Sequence, residues 1–259
     1  MMESIYERKR TLDKIEFTYA VGTNVEDREI HPYHEVLYYM DGDAAFLTEK
    51  FRKTLLPGTL LRIPAEKYHC FKLKTPESFV RLKIKIPQSI LETKPVRMNE
   101  IEISEKTEGL HKLILDRIIK EMHEEKTEEG DFLLEAALGF LLAEIDEGSA
   151  KKKIVPENAH EKVVQEMLRF IEENLAGDVS IYAISRSLHI SSSAVSHLFR
   201  QHMGVSLHKY VTEKRLSLAR KRIEAHEKPS KVFVQCGYKD YSAFYKAYIK
   251  MYGHPPSDI

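Results

Sequence analysis

DVSIYAISRSLHISSSAVSHLFRQHMGVS occupies residues 178–206, and its spacing predicts two short helices joined by a tight turn. The first begins after Ser180, the break falls at His189-Ile190-Ser191, and the second helix ends at Gly204. Ser191 suits the N-cap of that second helix, because a serine hydroxyl accepts the orphan amide hydrogen bonds of a first turn. Gly204 suits its end, because glycine adopts the left-handed conformation without a Cβ penalty. Val195, Leu198 and Phe199 form an apolar face. Ser193, Ser196, His197 and Arg200 lie opposite, small, polar or basic. A second short helix with such an outward face is the helix-turn-helix pattern, whose second helix enters the major groove of DNA.

The pattern repeats toward the end of the chain. HKYVTEKRLSLARKRIEAHEK (208–228) reads as one long helix, with Tyr210, Val211, Leu216, Leu218, Ala219 and Ile223 apolar and Arg215, Arg220, Lys221 and Arg222 basic. Such a helix can hold two units at a fixed separation. PSKVFVQCGYKDYSAFYKAYIKMYG (229–253) then gives a short helix, a turn at Gly237 and a helix from Tyr241 to Met251. Phe244 and Tyr248, four apart, can pack inward. Tyr241, Ser242, Tyr245 and Lys246 fall on the other face, as a contact surface or, for the two tyrosines, as a shield over the core.

The two halves of the chain differ in charge. Of 259 residues with a formal net charge of zero, 151–259 hold 18 Lys and Arg against 11 Asp and Glu; the first 150 hold the remaining 22 against 29. A basic half beside an acidic one fits a nucleic-acid binder with a separate sensing or assembly domain. The N-terminus MMESIYERKR has no apolar stretch of signal-peptide type. LLEAALGFLLAEI (133–145) is too short to span a bilayer. Both features point to a cytoplasmic protein without membrane partners. Cys70 and Cys236 match no metal-type spacing and suggest buried, inert thiols.

The N-terminal half changes period. IEFTYA, EVLYYM and TLLRIP read as short strands, with turn signals at Asp41-Gly42 and Pro57-Gly58. In FVRLKIKI (79–86), Val80, Leu82, Ile84 and Ile86 alternate with Arg81, Lys83 and Lys85, which predicts one buried and one wet face. Many short strands of this kind predict a small barrel or sandwich. From Leu110 the period becomes helical: Leu115, Ile118, Ile119 and Met122, then Leu134, Leu138, Leu141 and Ile145, mark two amphipathic helices. KKKIVPEN (151–158) reads as a linker.

Residues 163–258 resemble the DNA-binding domain of the AraC/XylS family of bacterial transcription regulators. The resemblance rests on ISSSAVSHLFRQHMGVSLHKYV, EKRLSLAR and GYKDYSAFYKAYIKMYGHPPS, in that order and spacing. It implies two helix-turn-helix units joined by a long helix, with DNA contacts from Ser193, Ser196, His197 and Arg200 in the first and Tyr241, Ser242, Tyr245 and Lys246 in the second. The chain departs from the family pattern at Ser185 and Phe233, where a small alanine is usual, and at Ile249, where a basic residue is common.

EIHPYHEVLYYMDGDAAF and LPGTLLRIPAEKYHCF resemble the two motifs of a cupin barrel, the sensing domain of many such regulators. The metal-binding cupin positions read Glu29, His31, Glu35 and His69 here, a carboxylate replacing the first histidine. His31, Glu35 and His69 are accordingly candidates for contacts to a small-molecule ligand. Two other roles stay open: a divalent-ion site and a structural hydrogen-bonded cluster.

The expected organisation is α+β with two domains: a cupin-like effector-sensing barrel (1–100) followed by helices (101–150, a candidate dimerisation region), a linker (151–162), and an all-α double helix-turn-helix domain (163–259). The expected partners are double-stranded DNA, a small-molecule effector such as a sugar or related metabolite, RNA polymerase, and a second copy of the chain. No catalytic residue, cofactor or metal is expected. Two alternatives remain: a metal-dependent cupin enzyme with a DNA-binding tail, and a constitutive DNA-binding dimer whose barrel is only structural.

Overall fold

The computed structural model describes residues 6–22, 28–93, 98–143 and 159–258. It divides into two compact units, Met1–Phe46 with Arg52–Lys153, and Leu47–Phe51 with Ile154–Ile259. The first unit is built on strands and the second on helices.

The strands are β1 (Tyr6–Leu12), β2 (Ile15–Val21), β3 (Arg28–Glu29), β4 (Tyr33–Asp41), β5 (Ala44–Thr48), β6 (Arg52–Thr54), β7 (Thr59–Ile63), β8 (His69–Leu73), β9 (Val80–Pro87) and β10 (Glu102–Ser104). They form two sheets, in the orders β1-β2-β9-β4-β7-β10 and β3-β8-β5-β6. Among the described residues this is a pair of sheets, the sandwich form of the barrel-or-sandwich expectation, without closure into one barrel. Asp13 and Lys14 both take positive φ in the two-residue turn between β1 and β2. That turn matches the twist of the flanking strands. Gly42, at φ +118°, turns β4 into β5 where a Cβ would lie 2.7 Å from the Ser78 carbonyl oxygen. Only glycine fits there.

Three helices belong to this unit: α1 (Gln88–Leu91), α2 (Gly109–His123) and α3 (Glu128–Ala143). One face of the six-stranded sheet, with Phe17, Val36, Tyr38, Leu82, Ile84 and Ile86, forms one core with Leu115, Ile118 and Met122 of α2 and Leu134, Leu138 and Leu141 of α3. The two apolar stripes therefore cover the sheet, and Ile119 is partly buried against the same core; Ile145 lies outside the described residues. Other apolar side chains of the pair stay in solvent: Leu113 on α2 is 66% exposed and Phe132 on α3 is 69% exposed.

The opposite face of that sheet corrects the reading of FVRLKIKI. Arg81 and Lys83 are buried and Lys85 is half-buried. Their strand partners on the same face are Tyr39, Leu37 and Glu35, and this face turns toward the second sheet. Alternation alone cannot show that a second sheet will cover the polar side.

The helical unit contains α4 (Ala159–Glu173), α5 (Ile181–Leu188), α6 (Ser192–Met203), α7 (Leu207–Glu224), α8 (Pro229–Gln235) and α9 (Tyr241–Tyr252). α4 begins four residues before the sequence-based boundary at 163. Four helices have side-chain N-caps: Ser180, Ser191, Ser206 and Asp240 accept from the amides of Ala183, Ala194, Lys209 and Ala243. Such caps are each worth about 1 kcal/mol. Left-handed residues end three helices, His189 after α5, Gly204 after α6 and Gly253 after α9. None of the described helices is long and apolar enough to cross a membrane. Cys70 and Cys236 are both buried thiols.

Candidate nucleic-acid interface and buried polar cluster

The first helix-turn-helix consists of α5 and α6. Its α6 buries Val195, Phe199 and Met203, a 3.6-period stripe that turns the other side of the helix outward. Ser193, Ser196, His197 and Arg200 are all exposed on that side. The Ser196 hydroxyl donates to the Ser192 carbonyl 3.1 Å away, a local bond that can be exchanged for another acceptor. Gln201 is exposed next to Arg200. The turn is held by hydroxyls: Ser192 donates to Ser185 (3.3 Å), and Ser185 donates to the Tyr182 carbonyl (2.9 Å). Ser185, the departure noted in the sequence, is 9% exposed. It is a buried serine whose hydroxyl is satisfied.

The second unit is built differently. Phe244 and Tyr248 are fully buried in a core with Leu216, Ala219, Ile223, Val232 and Cys236. Phe233 lies edge-on to Tyr241 with ring centroids 5.6 Å apart, and Tyr241 contacts Phe244 and Tyr245 at 5.8 and 6.0 Å. The bulky Phe233 is thus received by an aromatic stack. Ser242 and Lys246 are exposed, Tyr241 is 39% exposed, and Tyr245 is half-buried. Of the two tyrosines, Tyr241 presents the larger fraction of its surface. Ile249 is half-buried and Lys250 exposed, so the last turn of α9 still offers a cation.

Burial pushes the Cys236 thiol up, opposed by Arg222 beside it. Burial likewise raises the Tyr238 hydroxyl to about 12. Both groups are neutral at physiological pH and belong to the core.

In the strand-built unit, His31, Glu35 and His69 converge. They are buried, and each offers one ligand atom within 4.8 Å of the others. Glu35 comes from β4, where its backbone partners are Ile63 and Lys85. His69 opens β8 and pairs with Glu29 of β3. His31 stacks on Tyr33 with ring centroids 3.8 Å apart. The Nδ1 atoms of His31 and His69 lie 2.7 and 3.1 Å from the carbonyls of Tyr33 and Lys67, so each Nδ1 carries a proton and donates. That directs both Nε2 atoms to the interior. His31 Nε2 is 3.4 Å and Lys83 Nζ 3.9 Å from Glu35 Oε2. Burial pushes the Glu35 carboxyl up, but Lys83, His31 and His69 outweigh it and hold the group well below the usual carboxylate range. The Glu35 carboxylate is fully buried, with His31 and Lys83 beside Oε2. The cluster is an anionic acceptor flanked by two imidazoles. Two imidazole nitrogens and a carboxylate also form a donor set that suits borderline divalent ions.

All eight expected DNA contacts lie on α6 and α9, and the three expected ligand contacts form one cluster. Sequence reading missed the inward Arg81 and Lys83. Their signal was the alternation itself, which marks a two-faced strand without saying what covers the second face.

Residues 184–259 match a protein family described as a helix-turn-helix domain. Over 229 residues, 88% of this chain and 89% of the other, the chain is 24% identical to a probable transcriptional regulator, LumQ, of Photobacterium leiognathi. Over 101 residues it is 23% identical to the regulatory protein SoxS of Escherichia coli strain K12, covering 39% of this chain and 94% of that protein. Among solved structures, unsaturated fatty acid bound ToxT from Vibrio cholerae is similar at a TM-score of 0.40 and 11% identity, over 100% of this chain and 96% of that one. The C-terminal domain of the response regulator yesN from Fusobacterium nucleatum is similar at 0.35 and 23% identity, over 37% of this chain and 94% of that domain.

Proposed function

We propose that the chain is a DNA-binding transcription regulator whose α6 and α9 read two adjacent major grooves under the control of a small-molecule effector held by the strand-built unit. The observation that carries the DNA part is the exposed, hydroxyl-rich and basic face of α6, with His197 and Arg200 on it, above a fully buried Val195/Phe199/Met203 stripe. A hydroxyl or an imidazole can reach base edges, whereas Arg200, one turn on, pairs with phosphate. One monomer would cover two grooves about 34 Å apart.

The effector part rests on Glu35. The buried carboxylate is held ionised by Lys83, His31 and His69, and it can accept from a bound molecule with hydroxyl donors while the imidazoles fix the orientation of that molecule. This supports a sugar or related polyol, with His31, Glu35 and His69 as its polar contacts. The exposed Leu113 and Phe132 support a homodimer formed through α2 and α3. In this reading the protein is cytoplasmic, has RNA polymerase as a further partner, and performs no catalysis.

The test is effector response. His31→Ala and His69→Ala should abolish the change in DNA affinity that host metabolite extract produces, and leave effector-free affinity nearly intact. Response equal to that of the parent in both variants would sink the pocket assignment. About one tightly held divalent ion per chain would replace the polyol reading with an ion site.

A further inference from the structure

Arg215 lies in the middle of α7, the helix that joins the two helix-turn-helix units. Its guanidinium reaches the first unit through two directed bonds: Nε donates to the Leu175 carbonyl at 2.9 Å and Nη2 to the Gly177 carbonyl at 2.8 Å. Both carbonyls belong to the segment between α4 and α5, immediately before the Ser180 cap that starts α5. The other side of the same guanidinium touches the second unit. A Cβ built on Gly237, in the turn between α8 and α9, would lie 2.8 Å from Nε, Cζ and Nη2. Gly237 has φ +82°, so the turn needs glycine for its backbone as well as for this approach.

A second observation brings the same two segments together. Asp178 accepts from the Ser180 amide at 2.9 Å. Its carboxyl is held below the usual range by that bond first, and also by the charges of Lys239 and Arg215. Lys239 belongs to the α8–α9 turn. Residues of both turns thus meet around one planar group.

A guanidinium is suited to this place. Its fork of N–H donors is rigid and planar, so two bonds to fixed carbonyls orient the whole plane, and the plane can pack flat against a glycine. A lysine offers one rotatable ammonium and cannot do both. We infer that Arg215 is a positioning residue that fixes the separation and rotation of α6 against α9, and through them the half-site spacing that the chain accepts. The spacing clause rests on the DNA reading above; the claim about the helices does not.

Two experiments on the full-length protein separate these. In the first, Gln201→Cys and Lys250→Cys, both at exposed positions of the recognition helices, carry spin labels, and the distance distribution is measured without DNA. The parent should give one narrow distribution, and Arg215→Lys a distribution at least about twofold broader, because a flexible ammonium replaces a pre-organised fork. Equal widths overturn the inference. In the second, the chain binds a duplex selected from random sequence, and variants of it with one base pair inserted between the half-sites. Each inserted pair rotates and shifts the second groove, so the parent should lose about tenfold or more, and Arg215→Lys about twofold or less, with base preference inside each half-site unchanged. The same insertion penalty in both proteins overturns the inference. So does a salt dependence flatter by about one ion in Arg215→Gln, which removes the charge and would make Arg215 a phosphate contact. Should Arg215→Lys fail to fold, Arg215→Gln keeps one donor group in place and is read against the same outcomes. A parent that selects no duplex defeats the DNA reading, while the label distances still decide the claim about the helices.

Discussion

The hydroxyl of Ser192, in the first turn of α6, donates across 3.3 Å to that of Ser185, on the buried side of α5. Ser185 passes the chain on to the Tyr182 carbonyl. Two helices that meet at a tight turn are thereby joined by polar contacts at a place where most of the packing is apolar. Ser185→Ala should cost about 1 kcal/mol, the usual net value of a hydrogen bond whose loss leaves no charge behind. Denaturant unfolding of the full chain checks this. A cost above about 3 kcal/mol would mean that the site cannot accept the smaller side chain without a cavity or an unsatisfied group.

Base reading and phosphate contact should separate on α6. His197→Ala should cost on the order of 1–3 kcal/mol at a selected site and relax preference at one or two base pairs, whereas Arg200→Ala should weaken all sequences alike and flatten the salt dependence by about one ion. Titrations of cognate and random duplexes at several salt concentrations measure both. If His197→Ala leaves affinity and preference unchanged, α6 does not read through this residue.

Assembly should depend on the apolar side chains that α2 and α3 leave in solvent. Leu113 and Phe132 are among the most exposed large apolar residues of the strand-built unit, and a twofold interface would bury both copies of each. Leu113→Glu with Phe132→Glu should convert the full chain from dimer to monomer in light scattering at micromolar concentration, and leave the thermal transition within a few degrees. A double variant that remains dimeric places the interface elsewhere.

The buried cluster should make the strand-built unit acid-sensitive. The folded pKa of Glu35 is depressed, by Lys83, His31 and His69 acting against burial. A carboxyl of this kind adds stability that is fully present above its unfolded value of about 4.5 and is lost as pH falls through the folded value. Thermal unfolding from pH 7 downward should therefore show stability falling below about pH 4.5. Glu35→Gln should lower stability at pH 7 by on the order of 2 kcal/mol and flatten the acid dependence. A variant with the parent's acid profile would show that other carboxyls set it.

The helical unit was legible because its signals are local. Ser191 and Gly204 bound α6 by cap chemistry, and Phe244 and Tyr248 show which side of α9 is core; each needs only neighbours within a turn or two. The strand-built unit was legible as strands and turns. Its charged interior was not legible, because the burial of Arg81 and Lys83 depends on β8 and its neighbours arriving from elsewhere in the chain. The convergence of His31, Glu35 and His69 could be anticipated only from motif resemblance, and the packing of Arg215 against Gly237 left no trace in the sequence beyond a glycine at a turn. The aromatic crowding in α9 had two readings. Tyr241 packs on Phe233 and still faces solvent, so it fits both.

The most direct test of two recognition helices on one chain is methylation interference at guanine N7, an atom of the major groove, with the full-length protein on its selected duplex. The account predicts two patches of interference on one face of the duplex, about one helical turn or 10 base pairs apart, with His197→Ala weakening one patch and Lys246→Ala the other. A single patch, or two patches that both respond to the same substitution, would contradict it.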